Sequence, residues 1–95
     1  MAMKTKVLRV VSQTEAVEIP SKKEGKQPKC MIRLREPGGD FEDEYLCAMF
    51  GNLALLKYEP DDVVVATLQF RTHEANGNLY QDITVKEMMK LSVKL

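Results

Sequence analysis

The chain has no tryptophan, only three tyrosines and three phenylalanines, and no excess of either charge, since 14 basic residues balance 14 acidic ones. A strongly basic domain attracts nucleic acid through its overall field, and this balance excludes that kind of attraction. Any affinity for phosphate must come from an uneven distribution of charge. The distribution is uneven, because residues 22–35 and 86–94 are basic whereas residues 40–44 and 59–62 are acidic.

Cysteines and long apolar runs are also scarce. Cys30 and Cys47 are isolated, without the C-x-x-C spacing of a zinc site or the density of a disulfide-rich secreted domain, so we expect two buried, reduced thiols. No apolar run approaches the roughly 20 residues of a membrane span, and the first ten residues are too short in their apolar part for a signal peptide. These absences predict a cytoplasmic protein with no membrane partner.

The length of 95 residues fits one small domain, and we interpret residues 1–95 as a single unit with one core. Any site must then lie on its surface or in a shallow groove. The sequence contains no Ser/His/Asp or Cys/His set, no P-loop and no Gly-x-Gly-x-x-Gly motif. We therefore predict a protein that is not an enzyme and uses no cofactor or metal.

The first half of the chain reads as two strands. Residues Lys4 to Pro20 alternate loosely and predict one long strand, bent or bulged in the middle. The stretch from Pro20 to Pro28 contains nothing apolar and predicts a mobile loop. The stretch from Cys30 to Arg35 predicts a strand with both arginines outward, and Pro37 to Asp40 predicts a hairpin turn.

Three further strands and a short helix follow. Phe41 to Phe50 predicts a strand that is partly apolar on both faces, and Asn52 is expected to cap a helix from Leu53 to about Lys57. Val63 to Glu74 predicts the longest strand, in which we expect one face to be buried: Val64, Ala66, Leu68 and Phe70.

The last strand is expected to begin at Leu79, because Asn76-Gly77 is a strong signal for a tight hairpin turn. Its outward face carries Tyr80, Asp82, Thr84 and Lys86. For Met88 to Leu95, the pattern leaves open whether the strand continues or a helical turn begins.

Five strands with a helix between the third and the fourth predict an all-β fold, the five-stranded Greek-key barrel called the OB-fold, whose first strand serves both sides of the closure. A simple five-stranded sandwich is the alternative that the pattern leaves open.

The stretch from Tyr45 to Ala54, with Phe50-Gly51-Asn52-Leu53 at its centre, resembles the third strand and helix entry of bacterial single-stranded-DNA-binding proteins. Val64 to Thr72 is similar to their fourth strand, and Gly77 and Tyr80 stand where the family has a loop glycine and a tyrosine. The chain also resembles small uncharacterised proteins of Bacteroides-type bacteria and their phages. The resemblance covers roughly residues 29–85 and implies an OB-fold that binds single-stranded DNA in replication or recombination.

Two departures from that family stand out. Its stacking tryptophans are missing, and Glu44 and Ala75 occupy two of their places. The acidic, glycine-rich tail that recruits replication partners is also missing, since the chain ends with the segment Lys90 to Leu95. Surplus apolar surface on the third strand and near the C-terminus predicts a homo-oligomer, a dimer or a tetramer.

Single-strand binders need rings on which bases stack and a basic groove that follows the phosphates. Phe50 is the first candidate ring, and the resemblance carries a stacking phenylalanine onto this position. The alternative is that Phe50 packs under the helix or against a neighbouring subunit. Tyr80 is the second candidate, with a half-buried cross-strand tyrosine as its alternative.

The candidate phosphate contacts are the outward arginines of the strands and the lysines of the first loop: Arg33, Arg35, Arg71, Lys22, Lys23, Lys26 and Lys29. Ordinary solvated side chains are the alternative for each of them. His73 joins this interface as an outward residue, and it has no cysteine or carboxylate at metal-ligand spacing. The carboxylates from Asp40 to Glu44 are interpreted as a charged strand edge that discourages unwanted pairing.

The sequence thus predicts a single-stranded nucleic-acid-binding module with DNA as the expected partner, and it leaves the preference between DNA and RNA open. A protein–protein interaction or structural subunit on the same fold is the second hypothesis, favoured by the neutral charge and the missing tryptophans. A barrel that binds a small ligand or an oligosaccharide is the third.

Overall fold

The computed structural model describes residues 2–21, 25–39 and 41–91. These residues form six strands and one short helix, in this order: β1 Ala2–Gln13, β2 Val17–Ser21, β3 Gly25–Arg35, β4 Glu44–Phe50, α1 Asn52–Leu55, β5 Val63–Ala75 and β6 Asn78–Lys90. The predicted all-β class is confirmed. The predicted count of five strands is wrong by one.

All six strands belong to one sheet, with the order β1-β5-β6-β4-β3-β2 and an additional pairing of β1 with β3. That pairing closes the sheet into a ring, because β1 contacts β5 on one side and β3 on the other. The pairings are antiparallel except between β4 and β6, which run parallel and are in register at Ala48 and Thr84. The ring is therefore joined most sparsely between β4 and β6.

The sixth strand arises from a break in the predicted first strand. The β1–β3 register shifts between Val10 and Ser12, and the chain leaves the sheet after Gln13 and returns at Val17 as β2. Thr14 bridges the break, since its N–H donates to the Met31 carbonyl at 2.9 Å and its hydroxyl accepts the Met31 N–H at 2.9 Å. The predicted irregularity is thus present, but it divides the strand in two.

The predicted loop from Pro20 to Pro28 is wrong in part, because Gly25 to Pro28 belong to β3. These residues pair with β2, from Ser21 opposite Gly25 to Glu18 opposite Pro28. We call β2 and the part of β3 that pairs with it the β2–β3 arm. This arm buries neither face deeply, so its sequence lacks the apolar alternation that is typical of a strand. The predicted positions Lys22 and Lys23 lie outside the described residues.

The strand predicted from Phe41 begins at Glu44, and Phe41 is fully exposed. Asp40, at the predicted turn, lies outside the described residues. The connection from β3 to β4 is therefore longer than a tight hairpin turn.

Helix α1 is shorter than predicted, and the predicted capping by Asn52 is wrong. Gly51 occupies the cap position with φ of 64°, and no side chain caps the helix. The Gly51 N–H donates to the Pro28 carbonyl at 3.0 Å, while its own carbonyl accepts the Ala54 N–H at 3.0 Å. This turn from strand to helix needs a backbone conformation that glycine adopts without strain.

The core lies inside the ring and is built by strand alternation. Its most deeply buried large side chains come from β1, β3, β4 and β5: Leu8, Val10, Ile32, Leu34, Cys47, Met49, Val64 and Leu68. The predicted buried face of β5 is confirmed for Val64, Ala66 and Leu68, and Phe70 packs against the core while partly exposed. The two cysteines are buried and free, and burial raises the pKa of the Cys47 thiol to about 12.

The predicted Asn-Gly turn joins β5 and β6. Asn76 and Gly77 have φ of 54° and 80°, and Ala75 pairs with Asn78 across the turn. Strand β6 runs to Lys90, and the Leu91 N–H donates to the Val63 carbonyl, so the chain continues as a strand over 88–90. For the rest of the segment from Met88 to Leu95, residues 92–95 lie outside the described residues. In the described ranges, no helix has both the length and the apolar character to cross a membrane.

Candidate functional site

An open groove of about 640 Å³ crosses the sparse joint between β4 and β6. Its walls are the outward faces of β3 and β4 on one side and of β5 and β6 on the other. The side chains that line it are Lys29, Met31, Leu46, Ala48, Phe50, Gln69, Arg71, Gln81, Asp82, Ile83, Thr84 and Lys86. Of the predicted site residues, the structure brings Phe50, Lys29 and Arg71 into this groove.

Strand register places the groove residues in cross-strand rows. On one wall, Lys29 lies opposite Phe50, and Arg33 lies opposite Leu46. On the other wall, Gln69 pairs with Thr84 and Arg71 pairs with Asp82. Because side chains alternate along a strand, Arg33 and Arg35 continue the first wall beyond Met31, and His73 continues the second wall beyond Arg71.

The ring of Phe50 lies on the groove side of β4, as its position in the alternation predicted. Cys47 and Met49 fill the opposite side of the strand in the core, while Phe50 is partly exposed. The Nζ of Lys29 lies 5.7 Å from the centroid of the Phe50 ring, within the range of a cation–π attraction. The groove therefore has an aromatic ring with a lysine beside it at this end.

Arg33 and Arg35 are held by one carboxylate rather than left as free cations. The Nη2 atoms of the two arginines lie 2.9 Å and 2.7 Å from the carboxylate oxygens of Glu44. Hydrogen bonds from Arg33 and then from Arg35 hold the pKa of the Glu44 carboxyl below its usual range. Glu44 pairs with Arg35 on the β3 side, whereas β4 and β6 are in register only at Ala48 and Thr84, so the interpretation of Glu44 as a strand-edge charge stays a prediction.

The β5–β6 arm carries two stacked rings. The ring centroids of His73 and Tyr80 lie 5.1 Å apart at an interplanar angle of 19°. The Nδ1 of His73 lies 2.7 Å from a carboxylate oxygen of Asp82, which fixes the orientation of the imidazole. Tyr80 is 47% exposed and lies opposite His73 across the strand pair, so it fits the half-buried cross-strand tyrosine as well as the stacking candidate.

The two described lysines of the predicted first loop, Lys26 and Lys29, lie on different faces of β3. Lys29 lines the groove, whereas Lys26 lies three positions away on β3 and faces the other side of the arm. Lys22 and Lys23 lie outside the described residues. The structure thus places one of the four predicted lysines at the groove.

Sequence reasoning missed two residues of the groove that matter for its chemistry. Lys86 lies at the Phe50 end and adds a second lysine there; the basic character of residues 86–94 was the available signal. Gln69 is 8% exposed and contributes a buried polar side chain to the groove wall. Its position between Leu68 and Phe70 gave no signal for burial, since alternation predicted it to be outward.

The groove thus combines a ring, three cationic side chains and several amide, hydroxyl and carboxylate groups. This set can stack with a planar group, contact anions and hydrogen-bond to polar edges. Within the described ranges, no three His, Cys, Asp or Glu side chains cluster in a way that could hold a metal ion. Comparison with protein-family models and with curated proteins found no match.

Proposed function

We propose that the protein is a non-catalytic OB-fold module that binds single-stranded nucleic acid, DNA in the first place, in the groove between β4 and β6. The observation that carries the proposal is the presence of Phe50, Lys29, Lys86 and Arg71 in one groove. The resemblance to single-stranded-DNA-binding proteins implies a role in replication or recombination, in a phage or mobile-element setting.

The OB-fold assignment is supported by the order of the pairings. Counted as one broken strand, β1 and β2 reduce the sheet to five members, with α1 between the third and the fourth. The first member pairs with both neighbours that an OB-fold requires, and the two long hairpin arms, β2–β3 and β5–β6, flank the groove. OB-folds bind oligonucleotides on this face and with these two loops.

The two ends of the proposed binding site differ in whether carboxylates contact their basic side chains. Lys29 and Lys86 flank Phe50, so a base stacked on this ring has its phosphates beside two lysines. At the other end, Glu44 contacts both Arg33 and Arg35 and offsets one of their two positive charges, and Asp82 contacts His73. Affinity therefore depends on a few cations and on stacking, where each stacked base contributes about 1–3 kcal/mol.

The experiment that tests this proposal is a titration of fluorescein-labelled oligo-dT at low salt, followed by anisotropy. We expect binding that weakens as salt rises, with a log–log slope of about −0.7 for each phosphate contacted. Phe50→Ala is expected to weaken binding about tenfold, in keeping with the loss of one stacked base. Phe41→Ala is the matched control, because Phe41 is a fully exposed phenylalanine outside the groove.

Absence of oligo-dT binding at low salt contradicts the proposal, as does a Phe50→Ala variant that binds like the control. The same titration with poly-U and with duplex DNA separates DNA from RNA and single strands from double strands. We expect duplex to bind least, because its bases are already stacked.

The second candidate, a protein–protein interaction subunit without nucleic-acid binding, is favoured by apolar side chains that lie exposed outside the groove, among them Met3, Val7 and Met89. We expect the protein to form a homo-oligomer under either hypothesis. Loss of oligo-dT binding in Phe50→Ala with unchanged oligomerisation supports the first candidate. Loss of oligomerisation in that variant, in a protein that binds no DNA, supports the second.

A further inference from the structure

A second surface of the ring is apolar and lies outside the groove. We call it the outer face and define it by the outward side chains of β1, β5 and β6: Met3, Thr5, Val7, Arg9, Val63, Val65, Thr67, Glu87 and Met89. Met3, Val7 and Met89 are 55%, 45% and 63% exposed. None of these residues lines the groove. Val7, Val63, Val65 and Met89 adjoin one another across three strands, and an exposed apolar patch on a small domain marks an interaction surface.

Strand register arranges the outer face in rows. Val7, Val65 and Met89 form the central row, and Thr5, Thr67 and Glu87 form the next row. The hydroxyls of Thr5 and Thr67 lie 2.9 Å apart and hydrogen-bond to each other. Because one hydroxyl already donates to the other, covering this row costs less than burying two unpaired hydroxyls.

The outer face carries opposite charges at opposite corners. Arg9 on β1 pairs with Val63 in the row on the other side of the central one. Glu87 on β6 lies in the Thr5 row, diagonally across the face. Neither side chain forms an ion pair within the part of the chain that the structure describes.

We propose that the outer face binds the outer face of a second copy of this chain. A two-fold axis in the plane of the contact, perpendicular to the line from Arg9 to Glu87, brings Arg9 of each copy opposite Glu87 of the other, and the two central rows of valine and methionine cross at Val65. This is an isologous contact, in which the same patch serves both copies. The strands of the two sheets then cross nearly at right angles, as in orthogonal sheet packing.

The size of the outer face sets the strength of the contact. The outer face is three strands wide, at a spacing of about 4.8 Å, and seven residues long, at about 3.4 Å per residue. Its area is therefore smaller than the roughly 800 Å² that each partner buries in a standard interface. We therefore expect a dimer that dissociates in the micromolar range. The proposal does not depend on the proposed function, because the two surfaces share no residue.

The test is sedimentation equilibrium of the full chain across the micromolar range. Arg9→Glu and Glu87→Arg are each expected to weaken self-association about tenfold or more, because like charges then meet twice in each dimer. An equimolar mixture of the two variants is expected to recover association, since both contacts then join an acid and a base. Met89→Glu, at an exposed position, is expected to abolish association in every combination.

A wild-type chain that stays monomeric throughout this range overturns the proposal. A mixture of the charge variants that associates no better than either variant alone also overturns it. Because both substitutions lie on exposed or half-exposed strand positions, circular dichroism of each variant is expected to match the wild type. Met89→Glu lies farther from the groove lysines than Glu87, and Phe50→Ala is expected to weaken oligo-dT binding by the same factor with or without it, which keeps this result separate from that for the groove.

Discussion

The ammonium group of Lys29 lies 5.7 Å from the ring centroid of Phe50, and the two residues are direct partners across β3 and β4. A nucleobase that stacks on Phe50 must share the ring with this cation or displace it toward a phosphate. If the proposed function is right, we expect Lys29 to affect the affinity for a single strand both through the Phe50 ring and through a phosphate contact.

The first prediction concerns this lysine. Lys29→Ala is expected to weaken oligo-dT binding and to reduce the salt slope by about 0.7, the value for one lost phosphate contact on a single strand. Lys26→Ala is the matched control, because Lys26 lies on the same strand but faces the other side of the arm. Equal effects of the two substitutions would show that only net charge matters.

The second prediction concerns the carboxylate that holds the two arginines. Glu44→Gln removes the negative charge beside Arg33 and Arg35, so the half-exposed guanidinium group of Arg33 becomes more available to phosphate. We expect tighter oligo-dT binding, by a fewfold at low salt, and a steeper salt slope. Weaker binding in this variant would mean that Glu44 positions the arginines for the ligand, and Glu44→Ala would then be weaker still.

The third prediction concerns the stacked pair on the β5–β6 arm. Tyr80→Ala removes the exposed ring that stacks on His73 and is expected to weaken oligo-dT binding about fivefold to tenfold, at the lower end of the range for one stacked base. Tyr80→Phe keeps the ring and is expected to bind like the wild type. Unchanged binding in Tyr80→Ala would confine the interface to the groove and leave out the arm.

The fourth prediction concerns pH. The Glu36 carboxylate accepts hydrogen bonds from Lys6 at 2.8 Å and from the Tyr45 hydroxyl at 2.7 Å, and these bonds lower its pKa; the pKa of Glu44 is also lowered. A carboxyl whose pKa is lower in the folded state contributes stability above its unfolded pKa, about 4.3, and this contribution is lost as pH falls through the folded value.

Thermal unfolding should therefore show a constant contribution from these carboxyls at neutral pH and a loss that begins near pH 4 and continues below it. Glu36→Gln is expected to unfold at a lower temperature than the wild type at pH 7 and to lose less of its stability on acidification. A wild-type melting temperature that rises as pH falls below 4 would contradict this assignment.

The fifth prediction concerns the entry to α1. Gly51 has φ of 64°, and a Cβ there would meet no atom within 4 Å, so the cost of Gly51→Ala is conformational alone. We expect a loss of about 1–2 kcal/mol in the free energy of unfolding, or a melting temperature lower by roughly 4–8 °C per kcal/mol. Gly39→Ala is the control, because Gly39 is equally open and has no positive φ.

Local patterns in the sequence predicted much of the fold. The alternation of Cys30, Ile32 and Leu34 and the Asn76-Gly77 turn gave the correct faces and the correct hairpin, because a period of two and a turn with positive φ are properties of neighbouring residues. The same reasoning placed Phe50 outward. The alternation pattern did not predict the β2–β3 arm, because an arm that buries neither face has no apolar period in its sequence.

The charge pattern of the site depended on partners distant in the chain. The contact of Glu44 with Arg33 and Arg35 follows from the β3–β4 register, which the length of the connection sets and the sequence pattern does not reveal. Arginines that appeared to be free phosphate contacts therefore have an internal partner. Lys86 lies in the groove because β6 runs parallel to β4 and beside it. No local sequence pattern predicts this long-range pairing.

The parallel joint between β4 and β6, in register at Ala48 and Thr84, lies directly beneath the groove. We expect a single-stranded nucleic acid that crosses the groove to contact β4 and β6 at the same time. Such a ligand would stabilise the closed ring. Opening of the ring at this joint then requires release of the occupant, and amide hydrogens along β4 and β6 are expected to exchange more slowly when the groove is filled.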